Sequence, residues 1–260
     1  MKIDLSGKTA VVTGGAGQLG RTMCRTLGEC GANIAVCYHH SKEMADGIAA
    51  EIVEKYNVKA ISVYCDVTDF NSVLKMKETV NQNLGEVQII VNNAVVQYSW
   101  VSVLEQDPKD YQSQFDSCVM HNVYMAKAFV PDMIKNQYGR IVSINTECAM
   151  QNFETQSAYV AGKRGMDGVL RVLAKEIGAN GITVNQVAPG WTIGDKYRDL
   201  TDGSEMKKYQ DFPYIKTVPL NRRGTDFEIA NVVAFLASDL ASFITGAYIP
   251  VCGGNVMPAI

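Results

Sequence analysis

Tyr159 and Lys163 stand four residues apart in QSAYVAGKRG (156–165), with only Val160, Ala161 and Gly162 between them. On a helix that spacing puts a phenol and an ammonium on one face, a turn apart. Such pairs are common on helix surfaces. This one differs because no acid occurs from 155 to 166, so the lysine has no carboxylate beside it in sequence. A phenol ordinarily titrates near pH 10, too high to exchange protons freely at pH 7. A fixed positive charge nearby favours the phenolate and lowers that value. The chemistry open to the pair is general acid and base catalysis, giving a proton to a developing oxyanion or taking one from an alcohol.

A second chemical segment is TGGAGQLGR (13–21), which ends a β-branched run. Gly15, Gly17 and Gly20 satisfy a GxGxxG pattern, with a strand expected before it and a helix after. Glycines let the backbone turn tightly and approach a pyrophosphate, and the helix N-terminus then offers free N–H groups to it. About 20 residues on, a dinucleotide site for NAD places an acid on the ribose 2′-hydroxyl. Here the second strand ends at Tyr38 and is followed by His39, His40, Ser41 and Lys42, with no acid before Glu43. A 2′-phosphate would be welcomed there, so the expected cofactor is NADP(H), with NAD(H) possible.

These groups need a scaffold, and the hydrophobic pattern supplies one. Short apolar runs at Lys8–Thr13, Asn33–Tyr38, Ala60–Cys65, Val87–Asn92, Arg140–Asn145, Thr183–Ala188 and Tyr248–Val251 read as strands. Between them, helices are expected at about 20–30, Lys42–Tyr56, Asn71–Leu84, about 110–135, Ser157–Ile177 and Asp226–Ala237. Strand–helix alternation with nearly all-apolar strands predicts a single α/β domain over 1–260, a doubly wound parallel sheet with helices on both faces. The irregular, charged stretch at about 191–214, bounded by Pro189 and Pro213, falls after a strand and is expected to be a substrate lid.

The bulk composition excludes several other classes. A net charge of -3 gives no general attraction to nucleic acid. No apolar run approaches a membrane span, and no secretion signal is visible at the N-terminus. The seven cysteines form no CxxC pair, and the three histidines make no metal-ligand spacing. The chain therefore reads as a cytoplasmic protein with reduced core thiols and no structural metal.

Taken together, these residues resemble the short-chain dehydrogenase/reductase family over essentially the whole chain, which implies a Rossmann-like fold. The family's TGxxxGxG loop is similar to Thr13–Gly20, with Gln18 where the middle glycine is usual. A positive φ at Gln18 would cost about 1 kcal/mol, unless Gly17 absorbs the turn. Asp66 in CDVTD looks like the aspartate that contacts adenine, and NNA (92–94) like the motif closing the fourth strand, with Val95 in place of glycine. By this resemblance Gly14, Gly17, Gln18, Leu19, Gly20, Tyr38, His39, Ser41, Asp66, Val67, Asn93, Ala94, Tyr159, Lys163, Pro189, Gly190 and Thr192 hold the cofactor. Asn122, Tyr159 and Lys163 match three of the family's Asn–Ser–Tyr–Lys tetrad, and Thr146 stands where its serine belongs. Cys252 replaces a usual aspartate near the end.

The resemblance implies NAD(P)-dependent interconversion of a secondary alcohol and a ketone. Tyr159 would move the proton, Lys163 lower its pKa, Thr146 polarise the carbonyl, and Asn122 position a relay water. Pocket candidates are Val95, Gln97, Tyr98, Trp100, Glu147, Met150, Asn152, Phe153 and Trp191, whose polar members suggest a small polar or polyhydroxylated carbonyl compound. A 3-oxoacyl-carrier-protein reductase is the alternative, with Lys135, Arg140 and Arg164 available to dock an acidic carrier. A non-catalytic dinucleotide-binding regulator also stays open, given the departures at Gln18, Val95, Thr146 and Cys252. The resemblance further implies a homotetramer or homodimer, paired through the helices at about 110–135 and 157–177.

Overall fold

The computed structural model describes residues 2–195 and 212–257. In chain order they form β1 (Thr9–Val12), α1 (Gln18–Glu29), β2 (Asn33–Tyr38), α2 (Lys42–Tyr56), β3 (Ala60–Tyr64), α3 (Phe70–Leu84), β4 (Ile89–Asn92) and α4 (Pro108–Gln114). A π-helical stretch, Phe115–Met120, then leads into α5 (His121–Lys135) and β5 (Gly139–Ile144). The rest comprises α6 (Cys148–Gln151), α7 (Ser157–Ile177), β6 (Ile182–Pro189), β7 (Thr192–Ile193), α8 (Pro213–Thr217), β8 (Gly224–Thr225), α9 (Asp226–Ala237) and β9 (Tyr248–Val251).

Seven strands pair in the order β3-β2-β1-β4-β5-β6-β9, all parallel. Successive strand residues face opposite sides of a sheet. Ala10 and Val12 of β1 accordingly enter a core shared with α1, α2 and α9, while Val11 enters one shared with α3, α5 and α7. A strand buried on both faces must be apolar throughout, which is why these runs show no polar alternation. β1 lies between β2 and β4, so the strand order reverses there and leaves a crevice at the carboxyl ends of β1 and β4. The expected doubly wound sheet is present. Most of the expected lid, 196–211, lies outside the described residues.

The helix expected at about 110–135 is three pieces. Pro108 opens α4 after Asp107, whose side chain caps the Lys109 amide. The π-helical turn that follows ends at Met120, two residues before Asn122, and Asn122 Nδ2 reaches back into it to the Cys118 carbonyl at 2.7 Å. Apolar periodicity cannot separate a widened turn from an ordinary one. Gly162 of α7 packs against this region, and a Cβ there would lie 2.8 Å from the Gln114 carbonyl oxygen. Gly162 thus serves close packing, whereas Ala161 is exposed.

Candidate active site

At the crevice, the backbone turn after β1 is made by Gly14, at φ +61°. Gly17 N-caps α1 at φ -75°, and Gln18 is the first helical residue with no positive φ. The strain considered for Gln18 therefore does not arise, because the turn occurs four residues earlier. Gly20 is required by proximity: a Cβ there would stand 2.1 Å from the Gly14 carbonyl oxygen. Thr13 Oγ accepts from the amides of Asn93 and Ala94 at 2.9 and 3.2 Å, and Asn93 Nδ2 donates to the Thr13 carbonyl at 3.0 Å. These bonds hold the ends of β1 and β4 together.

The result is an open cleft of about 670 Å³ above the glycine turn. Its walls include Gly14, Gly17, Gln18, Leu19, Tyr38, His39, Ser41, Asp66, Val67, Asn93 and Ala94, as expected from sequence. Size, glycine cradle and the free N-terminus of α1 fit a dinucleotide. Asp66 Oδ1 accepts from the Thr68 amide and hydroxyl, and its other oxygen lies 3.8 Å from His39 Nε2. Burial raises the Asp66 carboxyl most, but Thr68 and the imidazoles of His39 and His40 together hold it below the usual carboxylate value. Lys42, expected beside a 2′-phosphate, is paired with Asp46 at 2.7 Å, leaving His39, His40 and Ser41 exposed on the rim.

The four tetrad positions converge where β4, β5 and α7 meet. Asn122 Oδ1 accepts from Asn92 Nδ2 and Ser143 Oγ, both at 2.7 Å. With Nδ2 on Cys118, the Asn122 side chain is committed to holding the π-helical turn. Thr146 Oγ accepts from the Cys148 amide at 3.2 Å, which orients the hydroxyl and leaves its proton free to donate. Tyr248 anchors the Thr146 carbonyl. Lys163 is buried, donates to the Ile144 carbonyl at 2.6 Å, and lies 5.7 Å from the centre of the Tyr159 ring. Among the described residues no carboxylate pairs with it.

Burial dominates the titration of both partners. It pushes the Tyr159 phenol up, with Cys148 and Cys118 adding to the effect and Thr146 opposing it. It pulls the Lys163 ammonium down, against the same two thiols. The lysine does not offset the phenol's burial, because its ammonium is turned to the Ile144 carbonyl. Tyr159 is therefore protonated at neutral pH, the form that gives a proton. His121, beside Asn122, is pushed down to about 3 by burial first and the Lys163 charge second, and stays neutral.

On the far side, Pro189 closes β6, and the Gly190 amide donates to the Val251 carbonyl at 3.0 Å. Thr192 lies in β7, paired with Gly224 of β8. Glu147, next to Thr146, is 3 % exposed and joins three segments. Tyr214 of α8 donates to one carboxylate oxygen and Asn255 Nδ2 to the other at 3.0 Å, while the Trp191 amide donates to the Tyr214 hydroxyl at 2.9 Å. Burial raises the Glu147 carboxyl above its usual value, against the pull of these donors. Glu147→Ala is expected to cost about 2 kcal/mol, because it leaves Tyr214 and Asn255 without their acceptor. Denaturant unfolding checks this, and a loss below about 0.5 kcal/mol would show the hub to be dispensable.

The other pocket candidates divide. Val95 and Gln97 line the dinucleotide cleft, and Trp100 stacks on Tyr159 with ring centres 5.9 Å apart. Trp191 packs edge-on against Phe212 and Tyr214. Asn152 and Phe153 are exposed at the end of α6, and Met150 is half-buried within it. Arg140, considered for carrier docking, is buried at the opposite end of β5, bonded to the Gly139 and Gly181 carbonyls and to Asp239. Lys135 precedes the same strand end, so of the three cations only Arg164 lies on the side of Tyr159.

Sequence reasoning missed Tyr214 and Asn255, which carry no motif and reach Glu147 from 67 and 108 residues away. It also missed Arg21 and Arg25, which both bind Asp195 just after β7. Gln18 lies against Gly194 in the same place, where a Cβ would be 2.2 Å from Gln18 Cγ. The chain leaving β7 is thus fastened over the glycine turn.

Known proteins resemble this chain in sequence and fold. The family model described as enoyl-(acyl carrier protein) reductase matches residues 14–255. The 3-oxoacyl-[acyl-carrier-protein] reductase of Pseudomonas aeruginosa is 35% identical over 256 residues, covering 98% of this chain and 100% of that protein. The one from Staphylococcus epidermidis is 33% identical over 250 residues, covering 96% and 99%. Among solved structures, L-sorbose reductase from Gluconobacter frateurii, complexed with NADPH and L-sorbose, superposes with a TM-score of 0.90 at 26% identity, covering 100% of both chains.

Proposed function

The chain belongs to the short-chain dehydrogenase/reductase family of NAD(P)-dependent oxidoreductases, and on that premise we propose that it interconverts a ketone and a secondary alcohol on a small polar or polyhydroxylated compound, using NADP(H). The observation that carries the substrate reading is Glu147, a buried carboxylate immediately after the carbonyl-polarising Thr146. Through Tyr214 and Asn255, which hold both its oxygens, it gives the neighbourhood of Thr146 a hydrogen-bonded polar character that suits a hydroxyl-bearing substrate better than an acyl chain. The likeness to a ketose reductase supports the same reading.

In reduction, the protonated Tyr159 donates to the carbonyl oxygen as negative charge develops on it. The Thr146 hydroxyl donates to the same oxygen and orients it. Lys163 keeps its ammonium 5.7 Å from the centre of the phenol ring, and Asn122 holds the π-helical turn that packs against α7. The Gly14–Gly20 turn, Asp66 and Asn93–Ala94 would hold NADPH, which would supply the hydride there. The rim formed by His39, His40 and Ser41, with no acid before Glu43, supports a 2′-phosphate. A cytoplasmic homotetramer or homodimer, paired through α4–α5 and α7, completes the proposal.

A second reading, reduction of a 3-oxoacyl group on a carrier protein, is favoured by the identity to reductases of that name. It sits poorly with Arg140 and Lys135 at the wrong end of the sheet. The test is a fluorescence titration with NADPH and NADH, followed by a rate comparison between ketoses or small hydroxyketones and acetoacetyl-coenzyme A. NADPH is expected to bind at least about tenfold more tightly than NADH, and the hydroxyketones to turn over faster. Preference for NADH defeats the 2′-phosphate argument, and preference for the acyl thioester defeats the substrate argument. The raised phenol also sets the pH dependence. Reduction is expected to hold its rate into the alkaline range, while alcohol oxidation, which needs the phenolate, climbs about tenfold per pH unit.

A further inference from the structure

Helix α7 carries Tyr159 and Lys163, yet its N-cap residue, Gln156, gives no side-chain hydrogen bond to the first turn. The first amides of a helix have no partner within it. The amide of Tyr159 itself finds one outside, donating to the Tyr98 hydroxyl oxygen at 2.7 Å. One turn-edge away, the Ser157 and Tyr111 hydroxyls share a hydrogen bond of 2.7 Å. Trp100, two residues beyond Tyr98, lays its ring on the Tyr159 ring at an interplanar angle of 26°. Tyr98 and Trp100 belong to the segment leaving β4, which begins with Asn93 and Ala94 on the wall of the dinucleotide cleft.

We infer that Tyr98 is a positioning residue for proton transfer: its hydroxyl takes the place of the missing helix cap at the Tyr159 amide and sets where the phenol stands. Side-chain caps ordinarily come from Ser, Thr, Asp or Asn adjacent in sequence. A phenol delivered from 61 residues earlier does more, because it ties the cofactor-side segment directly to the catalytic residue. Displacement of a reacting group by about 1 Å can cost about 100-fold in rate, so a tie at this amide bears on turnover rather than on substrate affinity.

The inference rests on Tyr159 being the proton donor, so its test includes a readout that needs no substrate. In Tyr98→Phe, which removes only the hydroxyl, hydrogen exchange at the Tyr159 amide is expected to quicken about tenfold, with and without NADPH. With a ketone substrate, kcat is expected to fall about tenfold while KM stays within about threefold. The alkaline limb of the reduction profile should move down, because a phenol loosened from its buried place is less penalised as phenolate. Unchanged exchange in Tyr98→Phe overturns the inference, as does a raised KM at unchanged kcat, which would make Tyr98 a substrate contact. A wild-type protein inactive towards every carbonyl refutes the proposed function, while the exchange difference still reports on the cap.

Discussion

Tyr159→Phe is expected to lower turnover about 1,000-fold or more while leaving NADPH binding within about threefold of wild type. The substitution removes one oxygen and keeps the ring that stacks against Trp100. Lys163 remains held by the Ile144 carbonyl and Thr146 by the Cys148 amide, so neither depends on the lost hydroxyl for its place. What disappears is the proton donor. Thr146 still polarises the carbonyl but cannot deliver a proton with the same ease, since an aliphatic hydroxyl is a far weaker acid than a phenol. Steady-state rates and a cofactor titration on the same preparation give the answer. Activity above about a tenth of wild type would remove Tyr159 from the chemistry, and a loss of NADPH binding equal to the loss of rate would make it a binding residue. The same experiment separates an enzyme from a dinucleotide-binding regulator, for which the hydroxyl would be idle.

Gly20→Ala is expected to weaken dinucleotide binding at least about 100-fold with the sheet intact. The added Cβ would lie 2.1 Å from the Gly14 carbonyl oxygen, closer than any side-chain carbon tolerates. Neither atom belongs to a flexible side chain, so the turn itself must move. Moving it displaces the backbone that faces the cleft and the first turn of α1. Gly17→Ala is the control. Its Cβ would meet only the Gly14 oxygen at 3.1 Å, and its φ of -75° suits any residue, so a loss of a few-fold at most is expected. Equal losses in the two variants would mean that the loop, rather than the contact at Gly20, decides binding.

Much of this site was legible before any tertiary structure. The glycine turn after an apolar strand, the phenol and ammonium one turn apart, and the missing acid after Tyr38 are local patterns with a direct physical meaning. The three-piece helix before Asn122 was not legible, because a π-helical turn keeps the same apolar residues on the core side. The doubt about Gln18 came from motif spacing, and backbone geometry removed it by showing the turn at Gly14.

By itself, the sequence determined a doubly wound α/β chain, and it singled out the phenol–ammonium pair proposed to handle the proton and the glycine turn proposed to receive the dinucleotide. Each depends on neighbours within a few residues, where helix and strand periods dictate which side chains share a face. Tertiary structure alone decided what surrounds those groups. It brought Tyr98 to the amide of Tyr159, turned Lys163 to the Ile144 carbonyl, buried Arg140 away from the site, and joined Glu147 to Tyr214 and Asn255. Those contacts span 19 to 108 residues and follow no period, since parallel strand order and loop course bring them together. Burial, which raises the phenol of Tyr159, is likewise a property of the packed whole and cannot be read from any short stretch of chain.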